Sequence, residues 1–288
     1  MQRLLVAGVP IDMTMNDVAF FNERYSAYFA SADGDAAMRM TVSTADNIQP
    51  TEGKELLRFR NVTVVELPDG KRCHYMYYKN PDRLFQSCVY KPDFSETNTV
   101  VARDQLDGLS EGAWEHSYAG FDFACRLAAL GGAVLHGSAI AYKGRGVIFS
   151  APSGTGKSTH TGLWKKCFGD DVEYINDDKP ALRFEKDEIR MYGTPWSGKT
   201  SLNLNKHVPL HAVVFVTRGE HNSLRRLDFT ESLCNLQWQV VQPYHDAEIG
   251  SGIADRMIEL AQRVPVYVMT CNMEDDAAYT ARNALFGE

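Results

Sequence analysis

The segment SAPSGTGKST at 150–159 follows directly on the apolar run GVIF at 146–149. A nucleoside triphosphate asks for several convergent backbone N–H groups, one mobile cation and one hydroxyl that can ligate Mg²⁺, and this segment supplies all three. Gly154 and Gly156 let the backbone turn tightly around an anion. Lys157, a point charge on a flexible stem, can reach the β and γ phosphates, and Ser158 can ligate the metal. Helix spacing over 159–166 would aim an N-terminal dipole at the same place. The nucleotide-binding residues expected are therefore Ser153, Gly154, Thr155, Gly156, Lys157, Ser158 and Thr159, with ATP and Mg²⁺ as cofactors. Ala151 stands where the pattern G-x-x-x-x-G-K-[ST] has its first glycine, the smallest substitution available there. A Gly/Ser-rich turn without a ligand would also fit the composition, but not the strand before it and the Lys-Ser-Thr after it.

A second group of reactive side chains follows some way down the chain, in Asn176-Asp177-Asp178-Lys179-Pro180. A carboxylate at a strand end facing a phosphate loop can hold a metal or its waters, or accept a proton from an attacking hydroxyl. Adjacent side chains on a strand point to opposite sides, so one of the two serves such a site fully. His136, in LHGSAIAY, lies just before the phosphate segment in an apolar setting, where a histidine is either a satisfied core residue or a neighbour of the γ-phosphate. Further on, YGTPWSGKTSLN at 192–203 offers a turn, the flat face of Trp196 and the cation Lys199 as an acceptor-docking segment. The same loop could equally be a surface loop pinned by a buried Trp196. Arg225, beside Arg226 in SLRRLDF, is a further candidate for contact with a phosphoryl group, set against the frequency of exposed arginines on strands.

The elements that must position these residues are readable in outline. The first part of the chain predicts a helix over 16–29, strands over 56–67 and 71–78 joined by Pro68-Asp69-Gly70, and a connecting loop over 91–107. A change of texture near 113–120 divides the chain into an N-terminal region, 1–115, and a catalytic region, 116–288. The second region predicts a buried helix over 114–130 ended by Gly131-Gly132, a strand over 133–142 and a hairpin into the strand 147–150. Further strands fall at 172–175, 181–184, 188–192, 211–217, 223–227 and 264–270, with helices over 230–241, 247–262 and 274–285. This is α/β layering around a mixed sheet, preceded by a smaller β-rich region.

With 288 residues the chain can bury one large or two modest cores. Thirty basic residues against 37 acidic ones give a formal net charge of −7, which opposes general affinity for nucleic acid or anionic membrane. No leading signal segment and no membrane-spanning apolar run is evident. Six cysteines without C-x-x-C spacing fit reduced thiols and a cytoplasmic location better than a disulfide scaffold or a zinc site. The oligomeric state stays open, a homo-oligomer included.

Taken in order, LHGSA, hairpin, SGTGKST and the Asp pair resemble the nucleotide-binding half of the phosphoenolpyruvate carboxykinase fold. They are similar also to HPr kinase/phosphorylases, which carry a V-H-G strand, an SGVGKS loop and an Asp pair. The resemblance covers 134–227 well and the C-terminal elements loosely. It implies a P-loop domain in which Lys157 and Ser158 serve the phosphates and Mg²⁺. It further implies that Asp177 and Asp178 are metal ligands with Asp178 the catalytic base, and that His136 lies by the phosphate or metal. The carboxykinase segments that bind oxaloacetate are missing, and so is the L-E-I-R-G type signature of the kinase/phosphorylases. The expected function is a Mg-ATP-dependent kinase acting on a hydroxyl of a small molecule, a peptide or a protein serine. A small carboxykinase-like lyase and a nucleotide-sensing module without catalysis are the alternatives.

Overall fold

Along VPIDMTM and MRMTVSTA every second side chain is buried, the pattern of strands with one covered face. In the computed structural model, which describes residues 1–78 and 83–287, both belong to an eight-stranded sheet. Its strands are β1 (Gln2–Val6), β2 (Val9–Met15), β3 (Met38–Ala45), β4 (Lys54–Phe59), β5 (Val62–Glu66), β6 (Arg72–Tyr77), β7 (Leu84–Tyr90) and β8 (Glu96–Ala102). They lie in the order β1-β2-β3-β8-β7-β6-β5-β4, with β3 parallel to β2 and to β8. The helix expected over 16–29 is shorter. α1 (Val18–Tyr25) is capped by the Asp17 carboxylate, which accepts from Phe20 N–H, and passes into a 3₁₀ turn. α2 (Glu111–Ala129) packs on β2, β3 and β8.

Two expectations for this region are corrected. The single strand over 56–67 is a hairpin, β4 and β5, that turns at Arg60 in the left-handed region (φ 53°). The loop over 91–107 contains β8, an interior strand between β3 and β7. Its sequence, ETNTVVA, hides the strand because Thr97 and Thr99 are buried polar residues. Thr99 Oγ1 donates to Asp122 Oδ2 at 2.7 Å, and burial pushes that carboxyl up to about 7.

The chain forms two compact units, one of Met1–Leu130 with Gln242–Gly250, the other of Gly131–Val241 with Ser251 onward. The expected boundary at 115–116 falls within α2. The second unit holds β9 (Ala133–Val134), β10 (Ser138–Tyr142), β11 (Arg145–Ser150), β12 (Val172–Asn176), β13 (Ala181–Phe184), β14 (Ile189–Tyr192), β15 (His207–Arg218), β16 (Ser223–Arg226) and β17 (Val266–Cys271). The sheet runs β12-β10-β11-β15-β14-β13-β9, with β17 beside β15 and β16 beside β17. The protein is thus a mixed α/β structure with two mixed sheets.

The expected strand over 133–142 is split. β9 pairs with β13, whereas β10 pairs with β11 and β12, and residues 135–137 bridge the two positions. β11, β15 and β17 are mutually parallel, and β12 runs the same way because it is antiparallel to β10, itself antiparallel to β11. The carboxyl ends of four strands therefore share one end of the sheet, where open α/β sheets bind ligands. The helices are α3 (Lys157–Phe168), α4 (Phe229–Gln239), α5 (Ala247–Arg263) and α6 (Asp275–Phe286). α3 and α6 pack together over a core containing Phe149, Trp164, Val214, Met269, Ala278 and Ala281.

Trp164 is fully buried there, and its indole N–H donates to His160 Nε2 at 3.1 Å. Trp164→Ala should cost about 3–5 kcal/mol, the usual penalty for emptying a large aromatic site, read as a lower midpoint in urea unfolding. An unchanged midpoint would mean that α3 is not held by this core.

Candidate functional site

β11 delivers the chain into the glycine-rich segment and α3 takes it away. Gly156 caps α3 at φ 118°, ψ 21°, a conformation that strains any residue with a Cβ, and no side chain caps the helix. The first-turn N–H groups thus meet no capping side chain at a helix N-terminus, where anions are favoured. Within the segment Thr155 N–H donates to Pro152 O at 3.3 Å. Lys157 is buried back across it, its Nζ donating to Ala151 O at 2.9 Å and Pro152 O at 3.4 Å. Burial lowers the pKa of this ammonium, and the charges of Asp178 and Asp177 pull against that. The loop lysine and the Asp pair therefore share one electrostatic site. Ser153, Gly154, Ser158 and Thr159 are exposed, and Thr155 is half-buried.

The Asp pair sits at the carboxyl end of β12, in a turn shaped by Asn176. The Asn176 side chain accepts from the N–H groups of Asp178 (2.9 Å) and Lys179 (2.6 Å) and donates to Thr194 O at 2.8 Å. Asp177 is buried, and its carboxylate accepts from Ser138 Oγ at 2.6 Å and Thr200 Oγ1 at 3.1 Å. Ser138 Oγ also lies 2.9 Å from Thr161 Oγ1 on α3, so hydroxyls link the helix after the loop to the Asp pair. Asp178 is more open. His136 Nε2 lies 3.3 Å from its Oδ1, and Lys179 Nζ pairs with Oδ2. Burial would raise the Asp178 pKa, but the His136 hydrogen bond and the Lys179 charge outweigh it and hold the carboxyl at about 2.

His136 occupies the crossing between β9 and β10 with its side chain part-exposed. Its other ring nitrogen, Nδ1, is 3.2 Å from the side-chain amide of Gln239, and its backbone N–H donates to Gln239 O at 2.8 Å. Gln239, the last residue of α4, thus fixes the imidazole plane that meets Asp178. Sequence reading missed it, as it missed Ser138, Thr161, Asn176 and Thr200. A lone Gln at a helix end, 103 residues from its partner, leaves no local signal.

The 192–203 segment folds over the Asp pair. Gly198 (φ 67°) presses so close that a Cβ there would lie 3.1 Å from Asp178 Cβ. Trp196 is 2% exposed, so its ring anchors the loop and offers no flat face to solvent. Lys199 is exposed beside Gly198. Arg225 is engaged elsewhere, in a two-bond ion pair with Glu231 at 2.9 Å. Among the described residues no three His, Cys, Asp or Glu side chains form a metal-binding group. A Mg²⁺ ion bound by one or two carboxylates, a hydroxyl, waters and phosphate oxygens needs no such cage, and Ser158, Asp177 and Asp178 suit that mode. None of the six cysteines is in a disulfide, and no helix among the described residues is long and apolar enough to cross a membrane.

Residues 122–276 match the model of the family described as SynChlorMet cassette protein ScmC. A search of curated proteins finds no match. Among solved structures, the Hpr(Ser) kinase/phosphatase from Coxiella burnetii aligns at 11% identity and TM-score 0.32, over 52% of this chain and 95% of its own.

The depressed Asp178 pKa has a consequence in acid. A carboxyl held below its unfolded value stabilises the fold above that value and loses its contribution as pH falls through the folded one. For Asp178 the window runs from the ordinary 3.8 down to about 2. Asp178→Asn should flatten the loss of stability across that window, measured as unfolding midpoint against pH; an identical acid limb in wild type and variant would contradict the pairing with His136 and Lys179.

Proposed function

This chain belongs to the family of the SynChlorMet cassette protein ScmC, and on that footing we propose that it is a Mg-ATP-dependent phosphotransferase acting on a hydroxyl of a small molecule, a peptide or a protein serine. The observation that carries the reading is the coupling of the loop to the Asp pair. Thr161, Ser138, Asp177 and Thr200 form one hydrogen-bonded row from the helix after the loop to the Asp pair, and the charges of Asp178 and Asp177 raise the Lys157 pKa against its burial. A loop that only turned the chain would have no need of a buried lysine, nor of a hydroxyl row tying the following helix to the Asp pair.

The roles follow from the environments. Backbone N–H groups of Gly156 and the first turn of α3, with Lys157, bind the polyphosphate. Ser158 and the Asp pair are the residues to hold Mg²⁺, which supplies charge neutralisation on the phosphates. Asp178 receives the acceptor hydroxyl. The hydroxyl oxygen forms a bond to the γ-phosphorus, the bond from that phosphorus to the β–γ bridging oxygen breaks, ADP leaves, and the hydroxyl proton passes to Asp178. A carboxylate held at about 2 is a weak base, so the proton moves late, once bonding to phosphorus has made the hydroxyl acidic. That order suits the loose transition state of phosphoryl transfer. Before then Asp178 orients the hydroxyl, with His136 and Lys179 fixing its two oxygens.

Incubation of the full chain with γ-labelled ATP and a panel of hydroxyl metabolites and peptides, with Lys157→Ala as blank, should label at least one acceptor. On that acceptor Asp178→Asn should lower turnover by about 10²- to 10⁴-fold, the range of general-base contributions, while sparing most ATP binding. Lys157→Ala should weaken binding and rate together. ATP binding without transfer to any acceptor, with Asp178→Asn indistinguishable from wild type, would remove the phosphotransferase reading.

A further inference from the structure

We infer that Arg218 is a positioning residue that holds the glycine-rich loop in its anion-receiving form. The inference rests on the phosphotransferase reading for the identity of the anion. Arg218 ends β15, the parallel neighbour of β11, so the fold brings it out at the sheet end where the loop begins. Its Nε donates to Thr155 O at 3.0 Å and its Nη2 to Gly154 O at 2.7 Å. One planar fork thus grips two consecutive carbonyls, a geometry that an ammonium does not reproduce.

What the grip does follows from the peptide group itself. In a planar trans peptide the C=O and the N–H point to opposite sides. Drawing Thr155 O toward Arg218 turns the N–H of Gly156 the other way, to join the uncapped N–H groups at the start of α3. Drawing Gly154 O the same way turns the N–H of Thr155 inward, where it closes the turn onto Pro152 O. These two peptide planes lie between Gly154 (φ 78°) and Gly156 (φ 118°), residues whose backbones rotate most freely. Nothing in the residue types would stop either plane from flipping and presenting a carbonyl oxygen to a phosphate. Arg218 removes that option for both.

The position also leaves a charge in place. Among the described residues Arg218 makes no ion pair, although the chain carries 37 acidic residues against 30 basic ones. Among the described residues its hydrogen-bond partners are the carbonyls of Gly154 and Thr155. On a neighbouring side the Cε of Met273, just past β17, lies 3.0 Å from where a Cβ on Gly156 would stand, so the glycine conformation is enclosed from two strand ends.

The test is binding of Mg-ATP and of Mg-pyrophosphate to the full chain by calorimetry, for wild type, Arg218→Ala, Arg218→Gln and Arg218→Lys, with urea midpoints recorded without ligand. Losing two exposed hydrogen bonds from a charged donor should weaken both ligands about tenfold in Arg218→Ala and Arg218→Gln. Arg218→Lys should recover only part, and the ligand-free midpoints should stay put. With an acceptor in hand, the loss should appear in KM for ATP and leave kcat nearly unchanged. Wild-type affinity in Arg218→Ala, full rescue by lysine, or a loss confined to kcat would each overturn the positioning role. Tight wild-type binding that falls in the variants, with no transfer to any acceptor, would uphold Arg218 and sink the phosphotransferase reading alone. A wild-type chain that binds neither ligand would overturn both.

Discussion

An ionised carboxylate inside a protein is tolerable only when donors surround it, and the second unit is organised around one, Asp177. Its donors come from separate places in the chain: Ser138 at the start of β10 and Thr200 in the 192–203 loop. Ser138 in turn meets Thr161 on α3. Displacing Ser138 or Thr200 would leave a buried carboxylate short of partners, at a cost of about 1–3 kcal/mol or more. The constraint therefore ties together the hairpin, the 192–203 loop and the helix that follows the glycine-rich segment. The Lys157 ammonium, partly desolvated, supplies the opposing charge.

Topology explains why these groups can meet at all. β12 and β11 run in the same direction with β10 antiparallel between them, so the Asp pair after β12 and the glycine-rich loop after β11 emerge together. The residues entering β10, His136 and Gly137, come to that end from the opposite direction. Parallel β15 and β17 bring their own ends there, carrying Arg218 and Met273. Residues scattered over more than 100 positions of sequence are thereby gathered by strand direction alone.

How much of this the sequence disclosed depended on how local the signal was. The glycine-rich segment and the Asp pair are contiguous, and their chemistry can be read from residue types. The strands of the second unit were legible because β10, β11 and β15 hold apolar runs in a buried sheet. In the first unit β8 was hidden by its buried threonines, β2 and β3 carry polar residues on alternate positions, and β1 and β7 carry adjacent polar pairs, Gln2-Arg3 and Gln86-Ser87. Partners that act across the fold were beyond reach. Gln239 has meaning only once α4 ends beside residue 136, and Arg218 only once β15 lies against β11. Trp196 shows the converse limit, because an aromatic ring in a turn-rich loop reads the same whether it faces a ligand or the interior.

The two adjacent aspartates illustrate how environment assigns different work to identical side chains. Consecutive residues at a strand end face opposite ways, so Asp177 turns into the hydroxyl row and Asp178 toward His136 and Lys179. Asp177 is 6% exposed, and among the described residues its hydrogen-bond partners are the hydroxyls of Ser138 and Thr200. Its oxygens are held in place, which suits a structural anchor with lone pairs to spare for a cation. The Asp178 side chain is 19% exposed and meets a lysine and an imidazole. The His136 hydrogen bond and the Lys179 charge keep it ionised far below neutrality, and it is open to solvent. Exchanging these environments would leave the open carboxylate without its lysine and imidazole partners and seal the paired one away from solvent. The work of each member of the pair is therefore set by its partners, the Ser138 hydroxyl for Asp177 and the His136 ring for Asp178, both supplied where β10 begins.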